Sequence, residues 1–430
     1  MTAITALQGR RIWDSRGRPS VEVEVGLAGG ARGRGLAPAG ASRGRFEAID
    51  LRDGGQAFGG FGVSLALENI NGPIAGALIG MDAADQVSVD AALQTLDDTD
   101  NFARLGGNAA IATSMAVLDA AARAEGLPLW RYLAGDAAVR LPLPEIQIFG
   151  GGAHAGRRVD VQDFLIMPIG ARSFDEAMAM TAEVYRAAGA LMEARGSLAG
   201  VADEGGWWPD FATNEEALDA LALSIEAAGY GNGEVVISLD IAASEFGAKG
   251  RYRLALEERE YDTGEWIEVL LGWLARYPIL SVEDPLGEDD AEGMRAFTAA
   301  AGRKVQVIGD DFLVTDPDRV AAAAEADACN AILVKPNQAG TITGTRHAME
   351  AARSVGWGCV VSARSGETED TMIVHLAVGW DTGQLKVGSF ARSERMAKWN
   401  EALRIEEALG GDAVYAGASA LPKMLDSLPG

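Results

Sequence analysis

The chain is short of cysteine, of positive charge and of long apolar runs. Two cysteines, Cys329 and Cys359, in 430 residues exclude a disulfide-framed scaffold. Both lie in apolar, strand-like surroundings, the setting of a buried free thiol. With 37 Lys and Arg against 62 Asp and Glu, the formal net charge is −25, which argues against nucleic acid or an anionic membrane as partner. No apolar run reaches membrane-spanning length, and "MTAITALQGRRIWDSRG" lacks the apolar stretch of a secretory leader. A cytoplasmic protein is expected. What remains is a chain 48% hydrophobic and 23% charged with only 14 prolines, enough for one large core or two domains and without the marks of disorder. An acidic protein that binds an anionic substrate must gather cations locally, as Lys, Arg or metal.

Strands come first, then helices. "SVEVEVGL" (20–27) alternates apolar and acidic residues, as a half-buried strand does. The glycine- and arginine-dense "AGGARGRGLAPAGASRGR" is expected to be a mobile loop. From about Asn69 to Leu133 the pattern is helical, and prolines then break the rhythm in "GLPLWRYLAGDAAVRLPLP" (126–144). A domain boundary is placed there, with 1–135 a smaller α+β unit and 136–430 the larger one.

The larger part repeats short apolar runs between helical stretches: "VVISLD", "ILSVED", "VQVIGDD", "AILVKP", "CVVSAR" and "QLKVGS". Their markers Asp240, Glu283, Asp310, Lys335 and Lys386 are 43, 27, 25 and 51 positions apart, with Ala363 midway in the last gap. This is one βα unit per step, so the fold class is α/β with a parallel barrel whose strand ends share one mouth. Three acids at consecutive strand ends suit Mg²⁺, a hard cation that takes oxygen ligands. A single strand-end acid would more simply be a helix cap. Lys335, next around the barrel and partly desolvated beside a metal, is expected to be neutral enough to act as a base. The bland alternative is a structural lysine paired with the acids. Lys386 could hold a second anionic oxygen. Glu204, in the glycine-flanked turn "GVADEGGWWP", could serve as the opposing acid. In "VVSARSGETED", Arg364, Ser365 and loop amides could grip an anion.

The chain resembles the enolase family in "DSRGRPSVEVEV", "GGAHAG", "VQDFLIMPIGA", "DEGG", "LDIAASEF", "VEDPL", "GDDFLVT", "ILVKPNQAGT", "SGETED", "GQLKVGS" and "WNEALRIEEALG", in family order over nearly the whole chain. The resemblance implies a modified (β/α)8 barrel under a small N-terminal capping domain, usually in a homodimer. It makes Asp240, Glu283 and Asp310 ligands of a tight Mg²⁺, with Ser42 helping to bind a second. Lys335 then matches the base that removes the C2 proton of 2-phosphoglycerate, and Glu204 the acid that helps the C3 hydroxyl leave. Asp163 stands where a glutamate partners that acid, and His154 matches a lid histidine. Arg364 and Ser365 match phosphate ligands and Lys386 a carboxylate-binding lysine. Gln162, Ala41, Ser42 and Arg43 fall among the substrate contacts.

Departures from the family pattern gather near the substrate. Ala363 replaces a histidine beside the phosphate-binding arginine, and Asp163 a glutamate. Ala39 replaces a serine, Arg43 a threonine and Gly150 an asparagine, while Trp207 and Trp208 are unusual in the "DEGG" turn. The room freed by a lost imidazole and the cation added by Arg43 are expected to admit a larger or second anionic group. The enolase-like enzyme this fits is the carboxyphosphonoenolpyruvate synthase of phosphinothricin-type phosphonate antibiotic pathways. The alternatives are an ordinary enolase and a non-catalytic protein on the enolase fold.

Overall fold

The computed structural model describes residues 1–41, 43–197, 200–231, 233–423 and 425. The alternating valines of the first strand signal fill an antiparallel meander of β1 (Ile4–Trp13), β2 (Pro19–Leu27) and β3 (Arg32–Ala37). Val21, Val23 and Val25 are buried, while Glu22 and Glu24 are answered across the strands by Arg10, Arg32 and Arg34.

β3 corrects an expectation, since it lies inside the stretch read as a mobile loop. Its "RGRG" pattern alternates, with arginines outward and glycines against the helix Gly107–Ala124. A Cβ on Gly33 would stand 2.1 Å from the Ala120 nitrogen, and one on Gly35 2.3 Å from the Ala112 oxygen. Glycine is there for close approach of strand and helix, not for mobility.

The remaining strands are β4 (Leu143–Gly150), β5 (Asp163–Met167), β6 (Val236–Asp240), then β7 (Gly247–Ala248), β8 (Arg251–Leu254) and β9 (Arg259–Asp262), which form a side sheet. After them come β10 (Ile279–Glu283), β11 (Gln306–Gly309), β12 (Ala331–Val334), β13 (Gly358–Ser362) and β14 (Gly383–Ser389). A closed barrel runs β10-β11-β12-β13-β14-β4-β5-β6. All six apolar runs are barrel strands; β4 and β5 complete the ring. The barrel is not wholly parallel, because β5 is antiparallel to both β4 and β6. The connection 151–162 contains only a short 3₁₀ turn, too little for the crossover helix that a parallel return needs.

Below the mouth the barrel interior is polar. Gln306 and Gln384 exchange amide hydrogen bonds at 3.0 and 2.8 Å, and Ser238 donates to Glu145 at 2.7 Å. The meander part is tied to the barrel by Ala39 and Gly366, which exchange backbone hydrogen bonds at 3.1 and 3.0 Å. Asp90 adds a second tie, accepting from the amide and hydroxyl of Thr343 at 2.9 and 2.6 Å. Among the described residues no helix is long and apolar enough to cross a membrane. Cys329 and Cys359 are free and buried.

Candidate active site

The strand-end acids meet at the mouth, and two lysines join them. Lys386, on β14, donates to Asp240 and to Glu283, each at 2.7 Å. Lys335, just past β12, donates to Asp310 at 2.5 Å. Burial alone would lower both lysines, but the facing carboxylates outweigh it and hold each ammonium above its ordinary range. Asp310 thus favours the ammonium form of Lys335, where a metal beside it would favour the neutral one.

Asp240, Glu283 and Asp310 are not themselves drawn into one tight cluster. Among the described residues, the groups of three whose ligand atoms lie within 4.8 Å of one another are His154–Asp163–Glu204 and Asp284–Asp310–Asp311. Even so, the donor set fits a divalent cation. Glu283 Oε1, Gln162 Oε1 and Asp163 Oδ2 are buried acceptor oxygens without a hydrogen-bond donor, on or beside the same strand ends, with Lys386 Nζ 3.8 Å from the last of them. Such oxygens are costly unless something positive reaches them.

Across the mouth lies a second group. His154, in the turn Gly152–Ala155, places Nδ1 3.0 Å from Asp163 Oδ1 and Nε2 3.0 Å from Ser365 Oγ. Glu204 Oε1 stands 3.8 Å from the same Nε2. Burial alone would lower His154, but Asp163 and Glu204 outweigh it and raise it from 6.5 to about 9. Burial alone would raise Asp163, but His154 outweighs it and brings it from 3.8 down to about 2.

The raised His154 contributes stability fully below pH 6.5 and loses it as pH climbs through about 9. The depressed Asp163 contributes above pH 3.8 and loses it as pH falls through about 2. The pair is whole between those limits. Asp163→Asn is expected to cost about 3 kcal/mol near pH 5.5, the scale of a broken buried ion pair. The gap from native protein should narrow above pH 9. Urea unfolding of both proteins across this range checks it; a gap that widens with pH contradicts the pairing.

A cavity between the two groups is lined by His154, Gln162, Asp163, Glu204, Asp240, Lys335, Ala363, Arg364, Ser365 and Lys386, among others. Its open volume is about 20 Å³, room for a water but not for a three-carbon phosphate without side-chain or loop movement. Glu283 and Asp310 stand behind the lysines. Ala41 contributes its amide, which donates to Ser365 Oγ at 3.1 Å. Arg43 is not brought in: it pairs with Asp50 at 2.8 Å and lines a neighbouring cavity, with Arg364 on the wall between. Ser42 lies outside the described residues.

Several residues here escaped the sequence reading. Glu47 receives the Arg364 guanidinium at 3.0 and 3.3 Å across 317 positions, and no local pattern announces that pair. Asp284, at φ +40°, accepts the backbone amides of Asp310 and Asp311 at 2.8 and 2.7 Å. Gln338 donates to Asp310 Oδ1 at 2.8 Å. The available signal for these two was adjacency, since both lie inside "VEDPL" and "ILVKPNQAGT" beside residues already chosen.

A closed barrel whose mouth gathers buried acids, two lysines and an arginine opposite a histidine–carboxylate group defines a class, the α/β barrel proteins with a charged site at the strand ends. Family models agree in detail: "Enolase, N-terminal domain" matches residues 4–133 and "Enolase, C-terminal TIM barrel domain" residues 138–424. The chain is 49% identical to "Enolase 1" of Desulfitobacterium hafniense (strain Y51), over 96% of its own length and 95% of that protein's. It is 48% identical to "Enolase" of Rubrobacter xylanophilus, over 99% of each. The chain belongs to the enolase family.

Proposed function

We propose that the protein dehydrates 2-phosphoglycerate to phosphoenolpyruvate, the ordinary enolase reaction. One observation carries this reading. In the ring of strands, β12 and β5 are diametrically placed, so Lys335 faces the Asp163–His154–Glu204 group across the cavity. A base on one side and an acid on the other is what loss of a proton from C2 and of hydroxide from C3 requires.

In this reading Lys335 takes the C2 proton. Glu204, backed by Asp163 and His154, gives a proton to the departing C3 hydroxyl. The C2–H and C3–O bonds break, the C2–C3 double bond forms and water leaves. Arg364 and Ser365 hold the phosphate, Lys386 the carboxylate, and Gln162 and the Ala41 amide close the site. Asp240, Glu283 and Asp310 would hold Mg²⁺, with Ser42 at a second ion. Bound there, Mg²⁺ would offset the Asp310 charge that now raises Lys335 and stabilise negative charge growing on the substrate carboxylate. Residues 136–430 are the catalytic domain and 1–135 its cap, in a cytoplasmic homodimer by resemblance to the family.

The specialised, phosphonate-using reading draws less support. Relatives matched nearly end to end carry the name enolase. Arg43, its extra cation, is engaged by Asp50 outside the cavity. What still favours it is Ala363, whose methyl leaves one wall without an imidazole. Purified protein with 2-phosphoglycerate and Mg²⁺ should form phosphoenolpyruvate, stop on addition of EDTA and recover with excess Mg²⁺. Turnover indifferent to EDTA overturns the metal assignment, and no turnover overturns the reaction.

A further inference from the structure

We propose that Gln147, on β4, is a positioning residue that sets the Glu204 turn against Asp163. The idea rests on the dehydration reading above. Gln147 is 0% exposed and does not line the cavity, so it acts through its neighbours. Its Nε2 donates to Asp163 Oδ1, and its Oε1 accepts the Gly206 amide at 2.8 Å. Strand β5 delivers Asp163 and a separate turn delivers Glu204; one carboxamide ties the two together.

The surroundings are shaped to that carboxamide. A Cβ on Gly206 would lie 2.3 Å from Gln147 Oε1. A Cβ on Gly150 would clash with Ala202 at 2.6 Å and touch both amide atoms at 3.4 Å. The backbone repeats the tie, with Trp207 donating to the Ile148 carbonyl at 2.8 Å and Gly150 to the Trp207 carbonyl at 3.1 Å. Only a group that both donates and accepts can serve Asp163 and the Gly206 amide together. An amide does so without a charge that would repel Asp163.

Gln147→Met keeps length and loses both hydrogen bonds. Gln147→Glu keeps the bond from Gly206 but cannot donate to Asp163 when ionised. Each variant and the native protein would be given 2-phosphoglycerate and Mg²⁺ in D₂O. Nuclear magnetic resonance would follow deuterium entering C2 and phosphoenolpyruvate forming, and melting curves would confirm folding. Loss of acid-side alignment should cut phosphoenolpyruvate formation by roughly tenfold or more in both variants, while C2 exchange, governed by Lys335, stays within about threefold. Exchange and dehydration falling together mark general damage and overturn the role, as does neither falling. Native protein showing neither signal overturns the reaction itself, and the role with it.

Discussion

Lys335→Ala should lose C2 proton exchange and dehydration together, by roughly 10²–10⁴-fold, the contribution of a positioned general base. Its ammonium is buried against Asp310 at 2.5 Å and lines the cavity. Lys386, the neighbouring lysine at the mouth, is held by Asp240 and Glu283 at 2.7 Å each, so it is poorly placed to substitute. Exchange of solvent deuterium into C2 reads the step directly. Exchange persisting at native rate in the variant would move the base elsewhere, with Lys386 the first suspect. Lys335→Arg should not rescue, because a guanidinium stays charged and cannot take a proton.

The second large effect concerns Asp310. Its carboxylate is shared between Lys335 and Gln338, and its backbone amide is fixed by Asp284. Burial alone would raise Asp310, but Lys335 outweighs it and keeps the acid ionised below its ordinary range, the state a metal ligand needs. Asp310→Ala should abolish measurable Mg²⁺ binding by calorimetry and reduce turnover by at least about a hundredfold. Folding should survive a loss of about 3 kcal/mol from the broken Lys335 pair, since Asp310 follows β11 at the open end of the barrel. Unchanged Mg²⁺ affinity in a folded variant would remove Asp310 from the metal site.

Which parts of this were readable beforehand follows from locality. Asp240, Glu283, Asp310, Lys335 and Lys386 could be found because each closes a short β-branched run, and a barrel sends all such ends to one face. β5 was hidden as a reversed strand because direction depends on what bridges it to β4, not on its own residues. β3 was hidden by its glycines, which look like a loop until Ala112 and Ala120 are seen packed against them. Pairings such as Glu47 with Arg364 join distant segments and leave no trace in either one. Arg43 lies outside the cavity for a related reason: Asp50, seven positions on, holds its guanidinium at 2.8 Å.

Ala363 is the residue on which the ordinary and the specialised reading divide, and one assay separates them. Native protein, Mg²⁺ and 2-phosphoglycerate would be followed to phosphoenolpyruvate with and without phosphonoformate as co-substrate. The account predicts turnover without the co-substrate at an ordinary enzymatic rate, on the order of 1–10³ s⁻¹, and no new product on adding it. Turnover appearing only with phosphonoformate, or a phosphonoformyl-bearing product, would contradict it.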